Sequence, residues 1–168
     1  MPQAVDRAAD FQPESVIRLL GRHGVRYVLI GGLAAATHGT PLVTQDIDLC
    51  YARDADNLAR LADALREIHA QLRGAEPGLP FKLDATAIRE GDAFTFTTDV
   101  GWIDVIATPT GTYGYDDLAR TAETYDLFGN RVLVASVDDL IRMKRAAGRP
   151  KDLLAVEELG ALREELDR

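Results

Sequence analysis

Apolar residues recur along this chain in two rhythms. Over residues 12–23, Val16, Ile17, Leu19 and Leu20 make a stripe at helical spacing. Pro13 suits the first turn of that helix, and Gly21 and Gly24 close it. Over 54–72, Leu58, Leu61, Leu65, Ile68 and Leu72 predict the clearest helix, with Asp54 or Asp56 capping its start. Ser136 is an N-cap for a helix over 137–147, with Asp139 at its negative-favouring end. Gly148 stops that helix, and Pro150 opens a last one running to about Leu166. Shorter helices are predicted over 33–37 and 115–121.

The second rhythm belongs to strands. Residues 27–31 are a continuous apolar run rich in branched side chains, as in a buried strand. Residues 46–51 alternate acid, Ile, acid, Leu, which gives a strand with one acidic and one apolar face. Residues 94–98 and 102–107 read as a hairpin closed by Asp99, Val100 and Gly101, and 125–128 with 131–135 as a second one across Gly129 and Asn130. Residues 74–80 and 109–114 are loops, and 81–92 a loop holding a short helix or strand. Strands interleaved irregularly with helices predict an α+β (α/β) architecture: a mixed sheet with helices packed on it and a helical C-terminus.

Composition narrows the class. The 168 residues suffice for one domain with a real core, about 25–136 for the sheet and about 137–167 for the helical end. The apolar run over 27–36 is too short for a bilayer and is broken by glycines, so no membrane span is expected. The N-terminal residues lack the basic start and apolar stretch of a signal peptide. The single cysteine, Cys50, excludes a disulfide within the chain and fits a reducing cytoplasm. A net charge of −8 argues against an extended grip on DNA or RNA. A local basic pocket is still open to Arg142, Lys144, Arg145, Arg149 and Lys151.

The candidate chemistry lies between Ile30 and Tyr51. Asp46 and Asp48, two apart on a strand, project to one face roughly 7 Å apart at Cα. At about 6 Å and an effective dielectric near 20, their repulsion is roughly 2–3 kcal/mol. A solvated strand face tolerates that; a bound divalent cation turns it into chelation. Gly31 and Gly32 favour the second alternative, because glycines after a buried strand let backbone approach a ligand and the next helix offers N–H groups to an anion. Asp104 is a lone acid on a strand with Trp102 and Ile106 on its face, so it needs a partner. That partner is a metal shared with Asp46 and Asp48, or one of the arginines. His38 fits a turn or a supporting contact better than a metal ligand. No Cys/His cluster suggests zinc.

With these residues in view, the chain resembles the nucleotidyltransferase superfamily of DNA polymerase β type. Ile30-Gly31-Gly32, then Asp46-Ile47-Asp48-Leu49 after about a dozen residues, then Asp104 on a later strand match that family's pattern. Residues 141–159 look like the C-terminal segment of small bacterial members, including the abortive-infection (AbiEii-like) toxin nucleotidyltransferases. The resemblance implies the nucleotidyltransferase fold. It also implies Asp46, Asp48 and Asp104 as catalytic metal ligands for two Mg²⁺ ions, with Mn²⁺ as a substitute. Gly31, Gly32, Thr44, Lys144, Arg149, Lys151 and Asp152 would form the nucleotide-binding set. The implied reaction moves a nucleoside monophosphate from an NTP to a hydroxyl on a tRNA end, a protein or a small molecule. The implied setting is a toxin–antitoxin or defence pair with a cognate partner protein, and the competing expectation is a non-catalytic antitoxin or binding module of the same fold. The chain departs from the pattern at Leu42 and Val43, where relatives often carry a basic residue, and at Ala155, where they often carry an acid.

Overall fold

A computed structural model describes residues 10–42, 44–76 and 80–168. The expectations that fall on residues 1–9, Val43 and 77–79 lie outside the described residues. The first half of the chain holds α1 (Pro13–Arg22), β1 (Tyr27–Ile30), α2 (Gly31–His38), β2 (Asp46–Tyr51), α3 (Ala55–Glu67), β3 (Gln71–Leu72) and α4 (Ala85–Glu90). The second half holds β4 (Ala93–Thr98), β5 (Gly101–Ile106), α5 (Tyr115–Thr121), β6 (Glu123–Leu127), β7 (Asn130–Val134), α6 (Val137–Ala147) and α7 (Pro150–Leu166).

The strands form one mixed sheet of seven, in the order β3-β4-β5-β2-β1-β7-β6. β2 runs parallel to β5 and antiparallel to β1, while β1 runs parallel to β7. The alternation in β2 and β5 decides what each face does. Ile47, Leu49, Ile103 and Val105 are buried and join one apolar cluster with Leu58, Leu61 and Leu65 of α3 and Ile17 and Leu20 of α1. Asp46, Asp48, Trp102 and Asp104 alternate with them and stay partly accessible. Asn57, wholly buried, ties the start of α3 to the sheet: it accepts from the Arg26 N–H at 2.7 Å and donates to the Ala52 carbonyl at 2.7 Å.

Several boundaries differ from the pattern-based expectation: α2 begins at Gly31 instead of Leu33, β6 begins at Glu123 instead of Tyr125, and three further changes have a clear backbone cause. The helix expected over 54–72 ends at Glu67, and Gln71–Leu72 form a short strand against β4. The reason is a left-handed turn made by a non-glycine residue. His69 takes φ +54°, its N–H reaches the Arg66 carbonyl, and the Ala70 N–H reaches the Leu65 carbonyl. The first hairpin turns on Asp99 and Val100 alone; Gly101, at φ +112°, already pairs with Thr98. The second turns on Phe128 and Gly129, at φ +54° and +79°, one residue earlier than expected. Positive φ at both central residues matches the twist of the flanking strands. The ambiguous stretch 81–92 contains α4, capped by Asp84, whose side chain accepts from the Ala87 N–H. Among the described residues, no helix is long and apolar enough to cross a membrane.

Candidate active site

The parallel pairing of β2 with β5 sets Asp48 directly beside Asp104 and Asp46 beside Trp102. Carboxylate oxygens of Asp46, Asp48 and Asp104 consequently come within 4.8 Å of one another. Burial first, then the charges of Asp46 and Asp104, push Asp48 up to about 8. Burial also raises Asp104, although its hydrogen bond with Asp48 and the charge of Arg73 work against the rise. A cluster that resists its own ionisation is a cluster short of positive charge. Oxygen donors in this arrangement fit a hard divalent cation such as Mg²⁺ or Mn²⁺.

Two glycines make room for the cluster. Gly31 has φ +72°, and a Cβ there would stand 2.1 Å from the Asp48 Oδ2 atom. A Cβ on Gly32 would stand 2.8 Å from the Cβ of Thr44. Thr44 in turn hydrogen-bonds the Asp46 carboxylate, with its Oγ1 2.5 Å from Oδ1. The strand-to-helix turn therefore lies against the acids, and the first turn of α2 opens beside them.

The basic residues expected around the nucleotide divide. Lys144 on α6 is close enough for its charge to oppose the rise at Asp48. Its Nζ also lies 3.5 Å from Oδ1 of Asp152. Asp152 is buried and lies at the start of α7, where it accepts from the Arg149 side chain at 2.6 Å and from the Arg149 backbone N–H at 3.1 Å. The Arg149 side chain is the largest cause that holds Asp152 down to about 2. The Asp152 side chain thus closes the start of α7 by accepting from Arg149 alone, and Lys151 stands exposed next to it. His38 is buried as a supporting contact. Its Nε2 lies 2.8 Å from the Ala135 carbonyl and its Nδ1 3.2 Å from the Tyr125 hydroxyl, which pins α2 to the end of β7.

Arg73 is the site residue that pattern reasoning missed. It follows β3, its N–H bonded to the Thr95 carbonyl at 2.9 Å. Its Nη2 donates to Oδ1 of Asp104 at 3.1 Å, and its guanidinium lies over the Trp102 ring, 4.4 Å from the centroid. Of the two partners weighed for Asp104, the structure shows the arginine, and the other two acids stand close enough to share a cation with it. The signal for Arg73 was hidden because residue 73 appeared to follow directly on a helix, not a strand.

A cavity of about 410 Å³ opens elsewhere, past the far ends of β2 and β5, beside Ala52, Ala107 and Tyr113. Its two arginines are engaged, Arg26 with Asp54 and Arg53 with the Arg89 carbonyl. The acid cluster lies away from it, on the face of the sheet where Asp46, Asp48 and Asp104 meet.

Solved structures place this architecture. The lincosamide antibiotic adenylyltransferase LnuA, solved with lincomycin bound, superimposes with a TM-score of 0.60 at 13% identity, over 91% of this chain and 99% of that one. The fold is the nucleotidyltransferase fold. A candidate nucleotidyltransferase of Thermotoga maritima gives a TM-score of 0.50 at 16% identity, covering 95% of this chain and 96% of that one. An antigenic nucleotidyltransferase-like protein of Paracoccidioides brasiliensis gives 0.51 at 17%, covering 89% and 72%. No protein-family model matches the chain, and no curated protein matches it in sequence.

Proposed function

We propose that the chain is a divalent-cation-dependent nucleotidyltransferase of one domain, moving a nucleoside monophosphate from an NTP to a hydroxyl and releasing pyrophosphate. The observation that carries this reading is the cluster of Asp46, Asp48 and Asp104 beside Gly31 and Gly32 in a nucleotidyltransferase fold.

Asp46, Asp48 and Asp104 are the residues that would hold Mg²⁺ or Mn²⁺. The metal's contribution is to neutralise phosphate charge as the transfer proceeds. Gly31 and Gly32 keep side chains away from the phosphates, and the first N–H groups of α2 receive phosphate oxygens. Thr44 fixes the rotamer of Asp46 through its hydroxyl. Asp104, held by Arg73, would take the proton of the attacking hydroxyl. The new bond forms between that oxygen and the α-phosphorus as the bond to pyrophosphate breaks. Lys144 serves the triphosphate, with the Arg149–Asp152 cap fixing its height along α6. Lys151 lies at the edge of the site. Positioning and preorganised charge supply most of the rate.

For the acceptor, a hydroxyl-bearing small molecule has the best support. LnuA binds lincomycin, and the likeness to it extends over 99% of its length. The charge of −8 counts against extended RNA binding, while a tRNA acceptor end would need only a small pocket. The likeness of residues 141–159 to AbiEii-like toxins supports a cytoplasmic role in a toxin–antitoxin or defence pair.

A thermal-shift measurement tests the assignment. With Mg²⁺ and an NTP at about 100 times its Kd, stabilisation of about 2.7 kcal/mol is expected by mass action. Asp48→Asn should abolish that shift. No shift with any NTP, or the same shift in the variant, overturns the reading. Incubation with labelled NTPs, a cell extract and a panel of hydroxylated small molecules then shows which acceptor gains label.

A further inference from the structure

The face of the sheet that carries the acids continues past them, over β4 and β3. Thr95 of β4 lies beside Asp104 and Thr97 beside Trp102, and Gln71 of β3 lies beside Thr97. Cross-strand partners project to the same side of a sheet, so these residues form one surface with the cluster. Phe96 and Ile103 alternate with them and are buried on the other side. Thr95 and Gln71 are exposed, and Thr97, Trp102 and Arg73 are partly accessible. The surface is an open floor of hydroxyl, amide and indole groups.

Arg73 lies across that floor. Its Nη2 is 3.4 Å from the carbonyl of Phe96, the residue between the two threonines, and donates to Oδ1 of Asp104 at 3.1 Å. The Trp102 ring supports the guanidinium, 4.4 Å from its centroid. Nε is buried without a partner, whereas Nη1 has no partner among the described residues and is not buried. A guanidinium is a rigid fork of donors and accepts nothing. One prong therefore holds the third acid, and the other offers an N–H beside it.

With the phosphates against Asp48, Gly31 and the start of α2, an acceptor reaches Asp104 from the opposite side, across β4. The attacking hydroxyl gives its proton to Asp104 as its oxygen bonds to the α-phosphorus and pyrophosphate leaves. The adjoining group of the acceptor then faces Nη1, a pure donor, and must carry an oxygen. We propose that the acceptor is an uncharged vicinal diol of a sugar or cyclitol. Arg73 holds the second oxygen, and Thr95, Thr97 and Gln71 meet the hydroxyls beyond it. The inference rests on the nucleotidyl-transfer reading of this site. A neutral acceptor fits the floor because Asp104 already balances its guanidinium, and its threonine and glutamine groups both donate and accept, as a polyol does.

A matched pair of acceptors tests this on the full chain with Mg²⁺ and labelled NTPs. Cyclohexane-1,2-diol is compared with cyclohexanol, alongside inositols, methyl pyranosides and a short RNA with a free 3′ diol. The wild type should label the diol about tenfold or more faster than the single alcohol, as expected for a hydrogen bond to a charged group. Arg73→Met should remove that preference and raise the KM for inositols about tenfold, while the NTP-induced thermal shift is kept. If Arg73→Met does not fold, Thr95→Val at its exposed position should raise the KM for inositols severalfold and leave cyclohexanol unchanged. Equal rates for the matched pair, or a preference that survives in Arg73→Met, overturn the proposal. So does label that goes to the RNA ahead of the polyols, or to no diol with an NTP that gives a thermal shift. If no NTP gives a shift, the nucleotidyl-transfer reading fails separately. Ligand-observed NMR of inositols with the Mg²⁺-loaded protein then decides: binding lost in Arg73→Met supports the floor, and no binding to the wild type overturns it.

Discussion

Two groups of carboxylates in this molecule are treated in opposite ways. At the start of α7, Asp152 is buried but meets Arg149 and Lys144, and the Arg149 side chain is the largest cause holding it down to about 2. On the sheet, Asp48 meets mainly other acids, and burial with their repulsion pushes it up to about 8. Both regions are made from Asp and basic residues within the same fold. The first is closed electrostatically: its charges cancel inside the protein, so it shapes the chain. The second is open, with Arg73 acting on Asp104 and Lys144 on Asp48 against the repulsion within the group of three acids. That difference separates a structural ion pair from a group of carboxylates whose repulsion a bound cation would relieve.

The largest expected effect comes from neutralising the open group. Asp48→Asn should lower metal-dependent nucleotidyl transfer by roughly 100-fold or more, as expected when a main contributor to charge stabilisation is lost. The metal-free protein should become more stable at pH 8, since a repelling charge is gone. A variant that loses both activity and metal-free stability would show that Asp48 is structural, and the contrast would break. Asp152→Asn should do the reverse. It removes the negative charge that Arg149 and Lys144 share, so the melting temperature should fall while Mn²⁺ affinity at the sheet stays within about twofold, Lys144 being the one residue that links the two regions. A loss of Mn²⁺ binding as large as that in Asp48→Asn would join the two regions into one.

A pH series tests the same contrast without changing its open half. Asp48 has its folded value raised above its ordinary one, so its contribution is full below about 4 and is lost as pH rises towards about 8. Metal-free wild type should therefore gain stability on going from pH 8 to pH 5, on the order of 5 °C in melting temperature. Mg²⁺ should flatten that slope, and Asp48→Asn should remove most of it. Asp152 adds its stabilisation evenly across this window and no slope, because both its folded and its ordinary values lie below it. A slope that survives in Asp48→Asn would assign the pH dependence to other groups.

Much of the open region was legible in the sequence, because strand period and glycine chemistry are local. Asp46 and Asp48 share a face by alternation, and Gly31 was needed where a Cβ would meet Asp48. Ser136 caps α6 as its residue type predicted, accepting from the Asp139 N–H at 3.1 Å. What was not legible depended on distant pairing or on uncommon backbone. The turn at His69 uses a conformation that favours glycine, so the leucine spacing carried the expected helix past its true end. That error concealed β3, and with it the strand that brings Arg73 to Asp104. The bond between Asp152 and Arg149 was hidden for a different reason. Residue types alone put Arg149, Lys151 and Asp152 in a nucleotide-binding set, and it is the hydrogen bonds from Arg149 that show Asp152 closing the start of α7.

Lys144 belongs to both regions, and its variant gives the smallest effect and the sharpest division. Its Nζ is 3.5 Å from Asp152, a long contact beside the 2.6 Å bond from Arg149, so its removal leaves that carboxylate paired. Its charge also opposes the rise at Asp48, which places it within electrostatic reach of the cluster. If it serves the triphosphate, Lys144→Ala should weaken NTP binding by about tenfold, worth about 1.4 kcal/mol. Binding of Mn²⁺ alone should change less, since a cation gains nothing from a neighbouring ammonium. Isothermal titration with the nucleotide and with Mn²⁺ separates the two. An equal loss of both, together with a lower melting temperature, would put Lys144 in the closed group with Asp152. Unequal loss at constant stability assigns it to the open one, because only a ligand with negative charge distinguishes a lysine that faces the site from one that braces a helix.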